Sequence, residues 1–412
     1  MHLVSSRTFF PTVGRVFWWC LLFGFVLAAP VHAEKPPGSE AREAVLAKIE
    51  SILHREAFAL ETDFSRWSDH LAKHRGAIEA ADSQTAFLNA VNLALSEFGV
   101  SHVKIKTKRA ERRKRLGSKR GLGIYPMPAE NGLMITWVTP GSPAARLGLA
   151  GGDLITRING EPATKLSQLR KNEDQIYALS WRHKDIGRDG VLKNSLYAKE
   201  RPGPVRILNQ NIYFLRIPSF DNGTYDEDVV EALFENATGA GGLILDLRSN
   251  PGGEISNLKH LMSFMIPHGK ALFHEVRENK HRPGLTPNIK VHRAKRKDRF
   301  YQGPLVVLID YWTASSGEIF AATLQEYGRA RLIGSPTQGL VLPSMIFDLP
   351  HGYRLQAPVA DLTTPAGQRL ESNPTRPDEA YTPQDTANEE TMILAALQHF
   401  ERERNMLGRD EQ

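Results

Sequence analysis

The chain has 412 residues, 41% hydrophobic and 24% charged, which describes an ordinary globular protein long enough for two or three domains. Its formal net charge of +6 is concentrated: residues 104–120 hold ten basic residues against Glu111, or +9, so the rest of the chain nets −3. No aromatic residue interleaves that run to stack on bases, so it reads as a solvated basic linker (104–117) and argues against nucleic acid as a partner. The single cysteine, Cys20, excludes a disulfide within the chain and any site needing more than one thiolate.

Residues 1–33 read as a secretory signal. Arg7 and Arg15 precede or open an apolar run, "VFWWCLLFGFVLAA", and Val31-His32-Ala33 offers a small-x-small cleavage site. The run is short for a membrane span, though an uncleaved anchor is the alternative. Cleavage would remove Cys20 and leave a thiol-free chain, which suits a periplasmic or otherwise exported protein. Residues 34–103 then show helical periodicity in three pieces, with apolar positions such as Val45, Ile49, Ile52 and Leu53, and again Phe87, Val91 and Leu95. Gly99 is placed to stop the third helix. The expectation is a small N-terminal helical bundle.

Residues 118–205 change to strands and turns. The stretch runs from Gly121-Leu122-Gly123-Ile124 through "LMITWV" and Ser142-Pro143-Ala144 to Gly152-Asp153 and Asn159-Gly160. It resembles a PDZ domain of the bacterial protease type. That resemblance implies that Gly121, Leu122, Gly123 and Ile124 form a carboxylate-binding loop, holding a peptide's C-terminus while the peptide adds a strand. A β-domain serving only as a spacer is the alternative.

From residue 206 to 385 strands and helices alternate. "GGLILDL" and "GPLVVLID" are nearly all apolar, as in a sheet covered on both faces, and "SSGEIFAATLQEYGRA" reads as a helix. "SMIFDLPHGYRLQAPVAD" reads as a hairpin, and residues 386–412 as a C-terminal helix. This is an α/β core of βαβ units.

Ser315 sits at a strand-to-helix junction. Ser315-x-x-Glu318 is a capping box, so the serine could simply cap the helix. The same place would aim a nucleophile at helix N–H groups able to meet an oxyanion. Three stretches decide how that serine is read: "GGLILDLRSNPGG", "PLVVLIDYWTASSGEIFAATLQEYGRARLIGSPTQG" and "APVADLTTPAGQRLESNPTRPDEAY". Together they resemble the C-terminal-processing (tail-specific) serine peptidases and tricorn protease, enzymes with a crotonase-like ββα core. The resemblance implies a nucleophile at Ser315 and an oxyanion hole from the N–H of Ser316 and the turn Gly252–Gly253.

One departure matters. The tail-specific branch has a basic lysine where this chain has Leu340, and no lysine occurs after Lys297, in the last 115 residues. The tricorn branch instead uses a histidine in a Ser-His pair before the PDZ domain plus a distant glutamate. The matching residues here are Ser101, His102 and Glu371. Each has a plain alternative: His102 as a helix-terminal histidine, Glu371 as a solvated carboxylate. His274, His281 and His292 lack metal-ligand spacing, so neither metal nor cofactor is expected. The expected function is an exported serine endopeptidase acting on protein or peptide substrates, with recognition of their C-termini as one route. The rival readings are an inactive peptide- or hydrophobic-ligand-binding relative and a PDZ-based scaffold.

Overall fold

A computed structural model describes residues 36–109, 118–169, 175–184, 186–279 and 287–410. The expected signal (1–33), His281 and most of the basic linker (110–117) lie outside these residues. No helix among the described residues is long and apolar enough to cross a membrane.

The front of the chain forms α1 (Ser39–Glu56), α2 (Trp67–Glu79) and α3 (Gln84–Ser96). Ser83 caps α3 by accepting the Ala86 N–H, and Gly99, at φ 68°, turns the chain out of it. The buried stripes match the periodicity, but the helices do not close a core among themselves. Residues Lys104–Thr107 form strand β1, in which Ile105 is buried between exposed or half-buried lysines. The basic stretch therefore begins as a strand, because alternating Lys-Ile-Lys suits a half-buried edge as well as a connector. β1 pairs with a segment some 250 positions later, Lys104 opposite Gln356, and Leu342, Tyr353, Leu355 and Ala357 complete the helical core.

The second part holds β2 (Ser118–Gly121), β3 (Ile124–Ala129), β4 (Gly132–Val138), α4 (Pro143–Leu147), β5 (Leu154–Ile158) and β6 (Glu161–Pro162). β7 (Ile176–His183), β8 (Ile186–Lys193) and β9 (Ser195–Ala198) follow. The main sheet runs β3-β4-β5-β7-β8, with β2 and β9 paired apart, around a core of Leu133, Ile135, Ile155, Tyr177 and Trp181. This part is fixed to the next by charge and rings. Trp137 donates to Glu200 (3.0 Å), and Glu200 and buried Asp246 both accept from Arg216, whose guanidinium lies 3.5 Å from the Trp137 ring centre. Burial opposes the Asp246 charge, but Arg248 and Arg216 hold its carboxyl down at about 2.

The third part begins with β10 (Arg206–Leu208), β11 (Ile212–Arg216), α5 (Glu227–Asn236), β12 (Gly242–Asp246) and α6 (Ile255–Met262). It continues with β13 (Ala271–Arg277), β14 (Asn288–Arg293), β15 (Leu305–Ile309), α7 (Ser316–Glu326) and β16 (Arg331–Gly334). It closes with β17 (Ser344–Asp348), β18 (Tyr353–Pro358), β19 (Asp361–Thr363), β20 (Glu379–Ala380), α8 (Pro383–Thr386) and α9 (Glu389–Asp410). The sheet β10-β11-β12-β15-β16-β20 is parallel from β11 onward. Every residue of β11, β12 and β15 is buried. One face packs on α5, α6 and α7, the other on Met392, Ala395, Ala396 and Phe400 of α9. Burial on both faces is why these strands read as unbroken apolar runs. The hairpin β17–β18 leaves this sheet and joins β1 in the order β1-β18-β17.

Candidate active site

The turn after β15 is held by one buried carboxylate. Asp310 accepts the N–H groups of Ser249, Trp312 and Thr313, and burial pushes its carboxyl up. The chain then enters α7 through Ser315, at φ 55°, ψ −120°, a conformation few L-residues adopt. Strain of this kind, on a half-exposed serine at a helix start, persists only where its surroundings fix it.

Glu318 supplies much of that fixing. Its buried side chain accepts the N–H of Ser315 (3.1 Å), as a capping box requires, but also the N–H groups of Gly339 (2.6 Å) and Leu340 (2.9 Å) and the Thr337 hydroxyl (2.5 Å). Burial raises its carboxyl, and these donors oppose that. Ser315 N–H also faces the Leu340 carbonyl at 3.1 Å. Glu318 therefore ties the serine turn to the loop 337–341. The Ser-x-x-Glu spacing revealed the cap; nothing local revealed the loop.

The glycine turn lies against Ser315. A Cβ on Gly252, whose φ is 85°, would fall 2.7 Å from the Ser315 Cβ and 2.8 Å from the Ser316 nitrogen, so only glycine permits this approach. The Gly252 N–H is already committed to the Asn250 side chain (2.8 Å). The Gly253 and Ser316 N–H groups donate to no group among the described residues. Of the two glycines expected at the oxyanion hole, only Gly253 keeps a main-chain N–H without an acceptor among the described residues. The Ser316 hydroxyl donates to the Gly253 carbonyl at 2.8 Å, an anchor between turn and helix that sequence reasoning missed.

Ser101, His102 and Glu371 come together from positions 270 residues apart. His102 sits in the turn between α3 and β1 at φ 63°. Glu371 is buried and accepts the Ser101 N–H (2.7 Å), the Ser101 hydroxyl (2.9 Å) and the Val341 N–H (2.6 Å). The Ser101 oxygen lies 2.5 Å from His102 Nδ1. A serine has one hydroxyl proton, and Glu371 takes it, so Nδ1–H must be the donor to Ser101. A proton on Nδ1 leaves Nε2 as the ring nitrogen that carries the lone pair when the imidazole is neutral. The two clusters meet on adjacent residues, since Leu340 faces Ser315 while Val341 faces Glu371.

The PDZ-like loop is also formed. Gly121 ends β2, Leu122 is buried, Gly123 packs on Ser142 and Ile124 opens β3. The Leu122 and Gly123 carbonyls accept from Ala144 and Thr139, while their N–H groups meet no acceptor among the described residues. Of the remaining histidines, His292 is buried on Glu275 (2.7 Å), and that hydrogen bond holds the Glu275 carboxyl down at about 2. No group of three or more potential ligands able to hold a metal occurs among the described residues.

Comparison with known proteins agrees with this architecture. Residues 211–381 match peptidase family S41 and residues 134–171 match the PDZ domain. The chain is 29% identical over 278 residues to the carboxyl-terminal-processing protease of Synechocystis sp., covering 63% of this chain and 61% of that protein. It is 28% identical over 270 residues to the carboxy-terminal processing protease CtpA of Bacillus subtilis (strain 168), covering 62% and 55%. The matches thus span only about three fifths of those relatives' length. In fold it is similar to the photosystem II D1 C-terminal processing protease, with a TM-score of 0.59 at 20% identity, covering 85% of this chain and 96% of that one. It is likewise similar to mature CPAF, with a TM-score of 0.61 at 12% identity, covering 91% and 99%. Residues 211–381 thus carry the match to peptidase family S41, with the PDZ match ahead of them at residues 134–171.

Proposed function

We propose that this chain is an exported serine endopeptidase with a crotonase-like core, in which Ser315 attacks the peptide carbonyl and His102 is the base. The observation that carries the reading is the hydrogen-bonded series Glu371–Ser101–His102, joined to Ser315 through neighbouring residues Val341 and Leu340. His102 Nε2 takes the Ser315 proton as the C–O bond forms and returns it to the leaving amine, and Ser101 with Glu371 orients the ring. The N–H groups of Ser316 and Gly253 receive the oxyanion. Water then cleaves the acyl-enzyme by the same path. Leu340 cannot accept a proton, so the lysine chemistry of the tail-specific branch is replaced, not merely lost. Residues 1–33 would direct the chain out of the cytoplasm, and protein or peptide chains are its substrates.

A serine-reactive fluorophosphonate tests this reading. Covalent labelling that maps to Ser315 and disappears in Ser315→Ala supports it. A folded chain that is neither labelled nor able to hydrolyse unfolded casein contradicts it.

A further inference from the structure

The fold leaves two strand edges open near the functional elements, and they differ in what they offer a peptide. In β3 the Gly123 carbonyl accepts the Thr139 N–H and the Tyr125 carbonyl accepts the Thr136 hydroxyl, so odd-numbered residues face β4. Backbone groups alternate along a strand, so Ile124, Pro126 and Pro128 turn outward. Two of those three outward positions are prolines and carry no N–H, the arrangement by which sheet edges avoid pairing. An added strand would find carbonyls there but, beyond Ile124, no donors.

β17 is the opposite case. It is the outermost strand of the sheet β1-β18-β17. The Leu349 N–H donates to the Tyr353 carbonyl, and the Pro358 carbonyl is turned away from β17 to accept the Phe58 N–H. Odd-numbered residues of β17 therefore face β18, and Ser344, Ile346 and Asp348 face outward. None is proline, and their backbone N–H groups have no partner among the described residues. β17 also follows directly on the loop that contacts Ser315 and Glu371. Ser344 is four residues beyond Leu340, about 13 Å of extended chain.

Resting on the endopeptidase reading above, we propose that an extended polypeptide substrate adds as a strand to the free edge of β17, through the backbone of Ser344 and Ile346, and not to β3. Main-chain pairing of this sort recognises any unfolded segment without proline at the paired positions, whatever its side chains. Asp348 at the far end carries a side chain already engaged by Arg354 and Lys108 and marks where pairing stops.

The test measures binding, so it does not depend on turnover. In the full chain carrying Ser315→Ala, the affinity for fluorescein-labelled, reduced and carboxymethylated lactalbumin is read by anisotropy. Adding Ile346→Pro, which removes an N–H that β18 does not use, should weaken binding about tenfold while the unfolding temperature stays within a few degrees. Should that variant unfold, Ser344→Pro at the strand's first residue decides by the same criterion. Pro126→Ala with Pro128→Ala should leave the affinity unchanged. An unaltered affinity in a folded Ile346→Pro chain overturns the proposal, and so does tighter binding in the double proline variant. If the wild-type chain binds the probe through β17 yet is never labelled at Ser315, the peptidase reading fails and the edge assignment stands.

Discussion

At the scale of single residues, the proposed mechanism gives the two adjacent serines separable duties. Ser315→Ala removes the attacking oxygen and should abolish hydrolysis of unfolded casein. Ser316→Ala keeps the main-chain N–H but loses the hydroxyl bond to Gly253, so the turn loosens and kcat should fall by roughly tenfold, the scale of one hydrogen bond. Equal loss in both folded variants would put the nucleophile in doubt. Glu318 is a positioning residue. Glu318→Gln places an amide NH₂ among four donors, so it should lower kcat more than it raises KM, with the Ser315 turn and the 337–341 loop released together. A change confined to KM would assign Glu318 to substrate binding instead.

Residue identity made part of this site legible and hid the rest. Ser315 could be found because a strand, a serine and a capping glutamate are local signals. Gly253 could not be chosen over Gly252, because the choice depends on the Asn250 side chain claiming one of the two N–H groups. The series from Glu371 to His102 is a tertiary contact. Sequence offered only a resemblance for it, and its geometry came from strand pairing.

Among the elements, α3 and the β13–β14 hairpin make different demands. Ser83→Ala removes the α3 cap, and about 1 kcal/mol of stability should go with it. Within β13–β14, Glu275 is buried against His292 and Arg277, and its carboxyl is held at about 2 by the His292 hydrogen bond. A carboxyl depressed in the folded state contributes stability above its unfolded value of about 4.3, lost as pH falls toward 2. Glu275→Ala should therefore destabilise the chain by about 3 kcal/mol near neutral pH, measured by urea unfolding. The difference from wild type should shrink below pH 4. A constant difference across that range would mean that the pair is not charged as described.

Strand order shows why elements are easier to read than their pairings. The apolar runs of β12 and β15 follow from burial on both faces, so their existence was predictable. That Lys104–Thr107 pairs with Tyr353–Gln356 is not written near either segment. The short basic strand had the composition of a linker, and only the buried Ile105 separates the two.

In the whole molecule, the helical front and the β17–β18 hairpin share one core. Tyr353, on β18, packs on Phe87 of α3 with ring centres 5.6 Å apart. Tyr353→Ala should cost about 3 kcal/mol and loosen the helices that carry His102, so activity and α3 protection from hydrogen exchange should fall together. Loss of activity with α3 protection intact would uncouple the front of the chain from the site. The PDZ domain is tied to the core by Trp137, Glu200 and Arg216, and Tyr125 meets Trp312, three residues before Ser315, edge-on at 5.7 Å.

In the proposed mechanism a histidine, and no lysine, activates Ser315. Its most direct test is the pH dependence of fluorophosphonate acylation at Ser315, in wild type and in His102→Ala. A neutral imidazole accepts the proton and an imidazolium cannot, so the wild-type rate should rise with pH through one ionisation in the range around 6 to 8. His102→Ala should remove that limb and at least about a hundredfold of the rate, and adding Leu340→Lys should not restore it. A His102→Ala chain that is acylated at the wild-type rate, with the same limb, would show that histidine is not the base.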